Sequence, residues 1–323
     1  MFARRLGRGQ EDLTTSEFFE LAFGRAPDAA ERDRLDALLP QRRVTTSAQA
    51  RRILLGFDAQ SHPTAFVVRA TGDSLTRLEL NGFSLWVDLD DPAVSAVIVH
   101  EHDWEAHVSA VLTQSLEPGA TFVDVGANVG FHTFLAASLV GPRGLVLAVE
   151  ANAENCRLLQ LSKTDNQADN VTVLPFALDR EAGVRYLSSH LGTNGGLVPD
   201  EREHLLSGRG TTVYATTLDD IAPPRVDVIK VDVEGAEFRV LDGGRKTLER
   251  DKPLIVMEFS CEMARRTSGV DPGAALQELL DLGYQLSVLD RPTRERKPFV
   301  SAAELLAQWP DPLHMEDLLL QPV

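Results

Sequence analysis

Four carboxylates stand at the ends of short apolar runs in this 323-residue chain: Asp124 in "TFVDVG", Glu150 in "LVLAVE", Asp232 in "DVIKVDV" and Glu258 in "PLIVMEF". Between the first two lies the turn "VGANVGFHT", in which Gly126 and Gly130 bracket Ala127 and Asn128. A carboxylate in such a place can accept hydrogen bonds from a diol or an ammonium group, take up a proton, or bind a hard cation. The glycines let backbone approach more closely than a side chain would allow. A dinucleotide site would carry G-x-G-x-x-G, its second glycine clearing space for a pyrophosphate on a helix N-terminus. Here that glycine is missing, and Asp124 places a negative charge that repels a pyrophosphate and suits a ligand cation. Glu150 closes the second run, where a ribose diol would donate to both of its oxygens. The pattern favours S-adenosylmethionine over a nicotinamide dinucleotide, with Asp124, Gly126, Asn128 and Gly130 at the methionine end and Glu150 at the ribose.

The elements that must position these residues follow from the hydrophobic pattern. "TFVDVG", "LVLAVE", "VTVLPFAL", "DVIKVDV" and "PLIVMEF" are nearly continuous apolar runs, as expected of central parallel strands covered on both faces. "NAENCRLLQLSKTDN" and "EFRVLDGGRKTLER" between them carry helical periodicity. The alternation predicts an α/β fold, a Rossmann-like doubly wound sheet with its ligand at the carboxyl ends of the strands. "ALQELLDLGYQLSVLD" adds a helix and a strand.

Upstream, "TRLELNGFSLWVDL" predicts a β-hairpin about Asn81-Gly82, both turn residues at positive φ. "DWEAHVSAVLTQSLEPG" predicts a helix that ends before Pro118-Gly119. Residues 1–62 read as a small helical module, with possible caps at Thr14 and Asp28; "FFELAFGRAPD" resembles the helical modules of the DUF4214 type over a short stretch. The expected organisation is therefore a helical module at 1–62 and a second domain at 63–323, made of a hairpin lead-in at 63–118, a core at 119–290 and a C-terminal tail at 291–323.

Net charge is −16, and the first 60 residues carry ten Lys/Arg against nine Asp/Glu while the rest carries 22 against 39. So acidic a body repels phosphate backbones, and nucleic acid is not an expected partner. No apolar run is long enough to span a bilayer, and the N-terminus lacks the apolar stretch of a secretory signal. Cys156 and Cys261, the two cysteines, lie in apolar segments and read as buried thiols, which fits a cytoplasmic location.

"FVDVGANVGFHT", "VLAVEANAENCRLL", "NVTVLPFALDREAG", "TTLDDI", "VDVIKVDVEGAEFRVLDGG" and "PLIVMEFS" resemble, in that order, the FkbM-type family of class I S-adenosylmethionine-dependent methyltransferases, over roughly Trp104 to Leu289. "IKVDVEGAE" is the most specific part of the match. The resemblance implies O-methylation of a hydroxyl on a sugar, glycan or natural product. It also implies that Trp104 and Glu105, similar to the family's aromatic-glutamate pair, close over the cofactor. Asn152, Ala177 and Leu178 would lie near the adenine, with Ala151 standing where the family usually has proline.

Methyl transfer to a hydroxyl needs alignment and an outlet for the proton. Asp232, expected beside the methyl group, is the first candidate, with Glu234 as a neighbour; His132 and His190 compete as bases. "SSHLGTNGG" around His190 suits an acceptor-side loop. Asp232 and Glu258 are candidate ligands for Mg2+. His100, His102 and His107 in "HEHDWEAH" lack the spacing of a zinc site and read as surface and strand-end histidines. The expected partner is a small-molecule or glycan acceptor, with a homo-oligomer or partner transferase open to the N-terminal module. An N-methyltransferase and a scaffold that keeps the fold without the chemistry are the alternatives.

Overall fold

The structure is a computed structural model that describes residues 68–69, 74–89, 91, 94–191, 194–197, 210–291, 293, 295–309 and 314–323. The expected helical module at 1–62 lies outside the described residues.

The centre is an eight-stranded sheet. Five parallel strands, β4 (Thr121–Val125), β5 (Leu145–Val149), β6 (Val171–Leu174), β11 (Val228–Val231) and β12 (Leu254–Ser260), form its body in the order β6-β5-β4-β11-β12. The chain leaves β4 toward β5 and β6, then returns to the other side of β4 for β11 and β12. This reversal makes β4 the switch point of a doubly wound sheet. β13 (Tyr284–Leu289) and β14 (Arg296–Phe299) lie beyond β12, but β15 (Met315–Pro322) inserts antiparallel between β12 and β13. The segment expected as a C-terminal tail thus completes the sheet, because Leu318, Leu319 and Leu320 have no exposure and belong to its two cores.

Those cores lie on opposite faces. One collects Phe122, Val228, Val256 and Leu319 with the hairpin β2 (Leu75–Glu79)–β3 (Ser84–Asp88) and with α1 (Ser95–Glu101), α2 (Ala106–Ser115), α3 (Phe131–Val140) and α4 (Ala153–Asn166). The other collects Val123, Val125, Ile229, Val231 and Ile255 beneath α5 (Glu237–Gly243), α6 (Arg245–Asp251), α7 (Pro272–Asp281) and α8 (Ala302–Ala307). Burial on both faces explains why alternation is absent from these strands.

Three expectations need correction. The hairpin turn has only Gly82 at positive φ (96°), so Asn81 does not share the left-handed conformation. "VTVLPFAL" is two strands, not one: Pro175 cannot donate to a ladder, and the chain breaks there. Its second part, β7 (Ala177–Leu178), joins β10 (Gly210–Thr216), β8 (Gly183–Leu191) and β9 (Asn194–Leu197) in a separate four-stranded sheet. The stretch expected as an acceptor-side loop around His190 therefore belongs to a strand pair, β8 and β9. Third, His107 is not a surface residue but is buried, whereas His100 and His102 are exposed. Cys156 and Cys261 are free and buried, as expected. No helix among the described residues is long and apolar enough to cross a membrane.

Candidate functional site

The carboxyl ends of β4, β5, β11 and β12 open onto a cleft, which the second sheet covers through Leu187 and Leu197. Gly126, just past β4, adopts φ 80°, and a Cβ there would stand 1.8 Å from the carbonyl oxygen of Asp232. The glycine therefore serves the approach of two strand ends, rather than the packing of β4 on its helix. Gly130, the residue before α3, does pack on that side, since its Cβ would meet Leu159 at 2.5 Å. Asn128 between them has φ 51°. Its N–H donates to Glu150 Oε2 at 2.7 Å.

Glu150 is buried at the end of β5, and its Oε1 accepts from Asn152 N–H at 2.7 Å. Burial pushes its carboxyl up to about 7, although the two backbone donors pull it down. The Asn152 side chain turns away to cap α4, accepting from Glu154 N–H at 2.9 Å. Ala151, Phe176, Ala177 and Leu178 line the cleft beside Glu150 and give it an apolar wall.

Farther along the cleft stand Asp232, Glu234 and Glu258. Glu234 holds a left-handed conformation (φ 55°), and a Cβ on Gly196 would come within 2.8 Å of its Cβ, so β9 lies directly on it. Burial and the neighbouring Asp232 raise Glu234; the same causes, with Glu234 and Asp317 added, push Glu258 up to about 10. Glu258 is therefore a poor proton acceptor near neutral pH. Asp232 differs from Glu234 and Glu258 by an ion pair, Lys230 Nζ to Asp232 Oδ2 at 2.8 Å.

Lys230 was not among the residues expected in the site. The ladder sets it opposite Asp124 on β4, and both belong to the face that α2 and α3 cover. Asp124, wholly buried, accepts from Thr133 Oγ1 at 2.6 Å through Oδ2, while its Oδ1 has no hydrogen-bond partner. Trp104, Asp124, Asn128, His132, Lys230 and Asp232 surround a smaller void behind the turn. Glu105, at φ 46° before α2, approaches it, its Oε2 3.9 Å from His132 Nδ1. Burial pushes Glu105 up to about 8, and burial with the charges of Lys230 and His107 holds His132 well below its usual range. His132 is thus a neutral ring in the void behind the turn, apart from Glu234 and Glu258. His190 lies near the far end of β8.

The same face carries a second unexpected pair. Asp317 of β15 lies opposite Glu258 in the ladder and meets His107 Nε2 at 2.6 Å. Arg291 reaches Asp317 at 3.3 Å and Glu258 at 3.9 Å. The carboxylates that sequence reasoning offered as metal ligands are therefore approached by protein cations. Among the described residues no group of three or more His, Cys, Asp or Glu side chains is arranged to hold a metal ion.

Comparison with known proteins locates the same region. The model of the methyltransferase FkbM domain matches residues 124–286. The hexuronic acid methyltransferase AglP of Haloferax volcanii is 28% identical over 174 residues, 52% of this chain and 64% of that protein. An arsenite methyltransferase of Halobacterium salinarum is 39% identical over 57 residues, 18% of this chain and 15% of that protein. The chain thus spans less than two thirds of the length of either relative. Among solved structures, a methyltransferase FkbM from Methylobacillus flagellatus KT shares 18% identity over 70% of this chain and 52% of its own, with a TM-score of 0.40. The matched stretch begins at Asp124 and runs through Glu150, the Ala177-Leu178 strand, Lys230, Asp232 and Glu258, the residues that frame the cleft; the chain belongs to the FkbM family of methyltransferases, built on the Rossmann-like sheet of class I.

Proposed function

We propose that this methyltransferase uses S-adenosylmethionine and transfers its methyl group to a hydroxyl of a sugar or glycan. The observation that carries the cofactor assignment is Glu150: a buried carboxylate at the end of β5, both oxygens fixed by backbone N–H groups, beside an apolar wall of Phe176 and Leu178. A carboxylate so held accepts from two adjacent hydroxyls, and the wall suits a flat heterocycle. The methionine end fits the void behind the turn. Asp124 Oδ1 is a buried acceptor without a donor, and an ammonium group supplies one. Trp104 and Glu105 border the same void from the start of α2.

When bound, the cofactor supplies an electrophilic methyl carbon on a sulfonium. Residues of this chain align the acceptor and receive its proton. Asp232, between the turn and Glu234, is positioned to accept a hydroxyl proton. Glu258, held toward its protonated form, donates a hydrogen bond to an acceptor oxygen, with Glu234 beside it. Leu187 and Leu197 of the second sheet close the cleft against water. A carbohydrate as acceptor is supported by AglP, whose name specifies hexuronic acid, and a hydroxyl on it by a cleft lined with oxygen acceptors and donors rather than cations.

The test is transfer of a radiolabelled methyl group from S-adenosylmethionine to a panel of glycosides, read by mass spectrometry of the product. Methyl ethers on a sugar, abolished by Asp232→Asn, are the expected result. A protein that binds no S-adenosylhomocysteine in calorimetry, or that methylates only amines, defeats the proposal.

A further inference from the structure

We infer that Lys230 is a positioning residue for the cofactor site: its ammonium, buried beneath the cleft floor, fixes the Asp232 carboxylate in the orientation that faces the ligand. The inference rests on the proposed use of S-adenosylmethionine and goes beyond it by assigning a residue that acts through the Asp232 carboxylate.

β11 is an improbable home for a lysine. Val228, Ile229 and Val231 around it are buried, and Lys230 itself is only 4% exposed. A buried ammonium costs several kcal/mol unless carboxylates and hydrogen bonds offset the lost hydration. The fold provides that offset. Burial by itself would lower Lys230, yet Asp232, Glu105 and Asp124 raise it above its ordinary value, so the charge is kept. Its direct hydrogen bond goes to Asp232 Oδ2 at 2.8 Å.

The remaining freedom of Asp232 is removed by other means. Its N–H donates to Val125 O at 3.0 Å, and its carbonyl is confined by the turn at Gly126. With the backbone fixed, the side-chain torsions decide where the carboxylate points, and Lys230 holds them. The spacing is the simplest that works: residues two apart on an extended chain share a face. Arg291 reaches Glu258 and Asp317 instead. Among the described residues, Lys230 is the cation paired with Asp232.

Affinity for S-adenosylhomocysteine tests this without knowledge of the acceptor. Calorimetry would compare the wild type with Lys230→Met, Lys230→Arg, Asp232→Asn and the double variant Lys230→Met/Asp232→Asn. Lys230→Met is expected to weaken binding at least tenfold, with partial recovery in Lys230→Arg. In the Asp232→Asn background the same change is expected to alter affinity less than threefold, because the carboxylate it positions is gone. A merely structural lysine would show the same loss in both backgrounds. Where Lys230→Met alone does not fold, Asp232→Asn with and without it still decides: equal affinity supports the inference, and a further tenfold loss overturns it. Wild-type affinity retained in Lys230→Met also overturns it. A wild type that does not bind overturns the cofactor assignment and this inference together, whereas binding with additive losses overturns this inference alone.

Discussion

With Glu150 at the ribose, as proposed, cofactor binding depends on pH. Burial pushes its carboxyl up to about 7, while the N–H groups of Asn152 and Asn128 pull the other way. Ribose hydroxyls donate to the ionised carboxylate and so favour loss of its proton. If only the ionised form binds, affinity follows the ionised fraction, about one tenth at pH 6 and nine tenths at pH 8. S-adenosylhomocysteine should then bind roughly tenfold tighter at pH 8 than at pH 6, about 1.4 kcal/mol. Glu105, pushed up to about 8 beside the methionine-side void, acts in the same direction.

Glu150→Gln separates the two. It keeps the shape and removes the titration, so the part of the pH dependence that disappears belongs to Glu150. The amide must also turn its NH2 toward a backbone donor, Asn128 N–H or Asn152 N–H. Losing one charge-assisted acceptor and opposing two donors costs roughly 2–4 kcal/mol, or about 30- to 1,000-fold in affinity at pH 8. Calorimetry at pH 6, 7 and 8, in buffers of different ionisation enthalpy, measures both affinity and protons released. A flat wild-type profile, or a Glu150→Gln profile as steep as the wild type's, would refute the reasoning.

Other perturbations follow from the same geometry. Gly126→Ala places a methyl group against the Asp232 carbonyl at positive φ, and should cost about 2–5 kcal/mol in urea unfolding as the β4 and β11 ends separate. Asp179, wholly buried, receives two bonds from Arg239, at 2.8 and 2.5 Å, and one from Arg185. Asp179→Asn leaves those guanidinium groups uncompensated and should destabilise by about 3–5 kcal/mol, with no loss detected by chemical denaturation counting against the hub. Glu237 accepts from Gly235 N–H at 2.9 Å, and burial pushes it up to about 7. Its folded value lies above the unfolded one, so the stability it contributes is full below pH 4.5 and is lost as pH rises through 7. The loss approaches about 3 kcal/mol by linkage, and denaturation of Glu237→Gln across pH 5–8 should show a shallower slope than the wild type.

The parts of the site that were legible in the sequence are those fixed by one strand and its next turn. Asp124, the glycine turn and Glu150 lie within a single βαβ unit, so the strand ends that frame the cleft follow from local pattern. The rest depends on pairing between distant segments. Asp317 meets Glu258 because β15 inserts beside β12, and a short run such as "EDLLLQ" carries no signal for that position. Lys230 left a trace, a cation inside an apolar run, but its place opposite Asp124 is set by the β4–β11 register. The cover over the cleft was hidden for another reason. Gly196 reads as loop chemistry, yet it serves the close approach of β9 to Glu234.

The distribution of charge at the cleft bears on the acceptor itself. Asp232, Glu234 and Glu258 line the cleft where the acceptor is proposed to sit, and no Lys or Arg is among the described residues that do. Arg291 stands nearby, but Glu258 and Asp317 already flank it. A sugar carboxylate brought within about 5 Å of an ionised Asp232 would meet a repulsion of about 3 kcal/mol at an effective dielectric constant of 20. The protonated form favoured at Glu258 removes part of that field and leaves a hydrogen-bond donor suited to neutral hydroxyls. Between two acceptors that differ only in a carboxylate beside the reacting hydroxyl, the neutral one should therefore show at least tenfold higher kcat/KM. Raising salt should narrow the gap, since screening weakens the repulsion. An acceptor series in which the carboxylate improves kcat/KM, with the gain lost in Arg291→Ala, would show that Arg291 leaves its carboxylates to hold the substrate and would overturn the argument from charge.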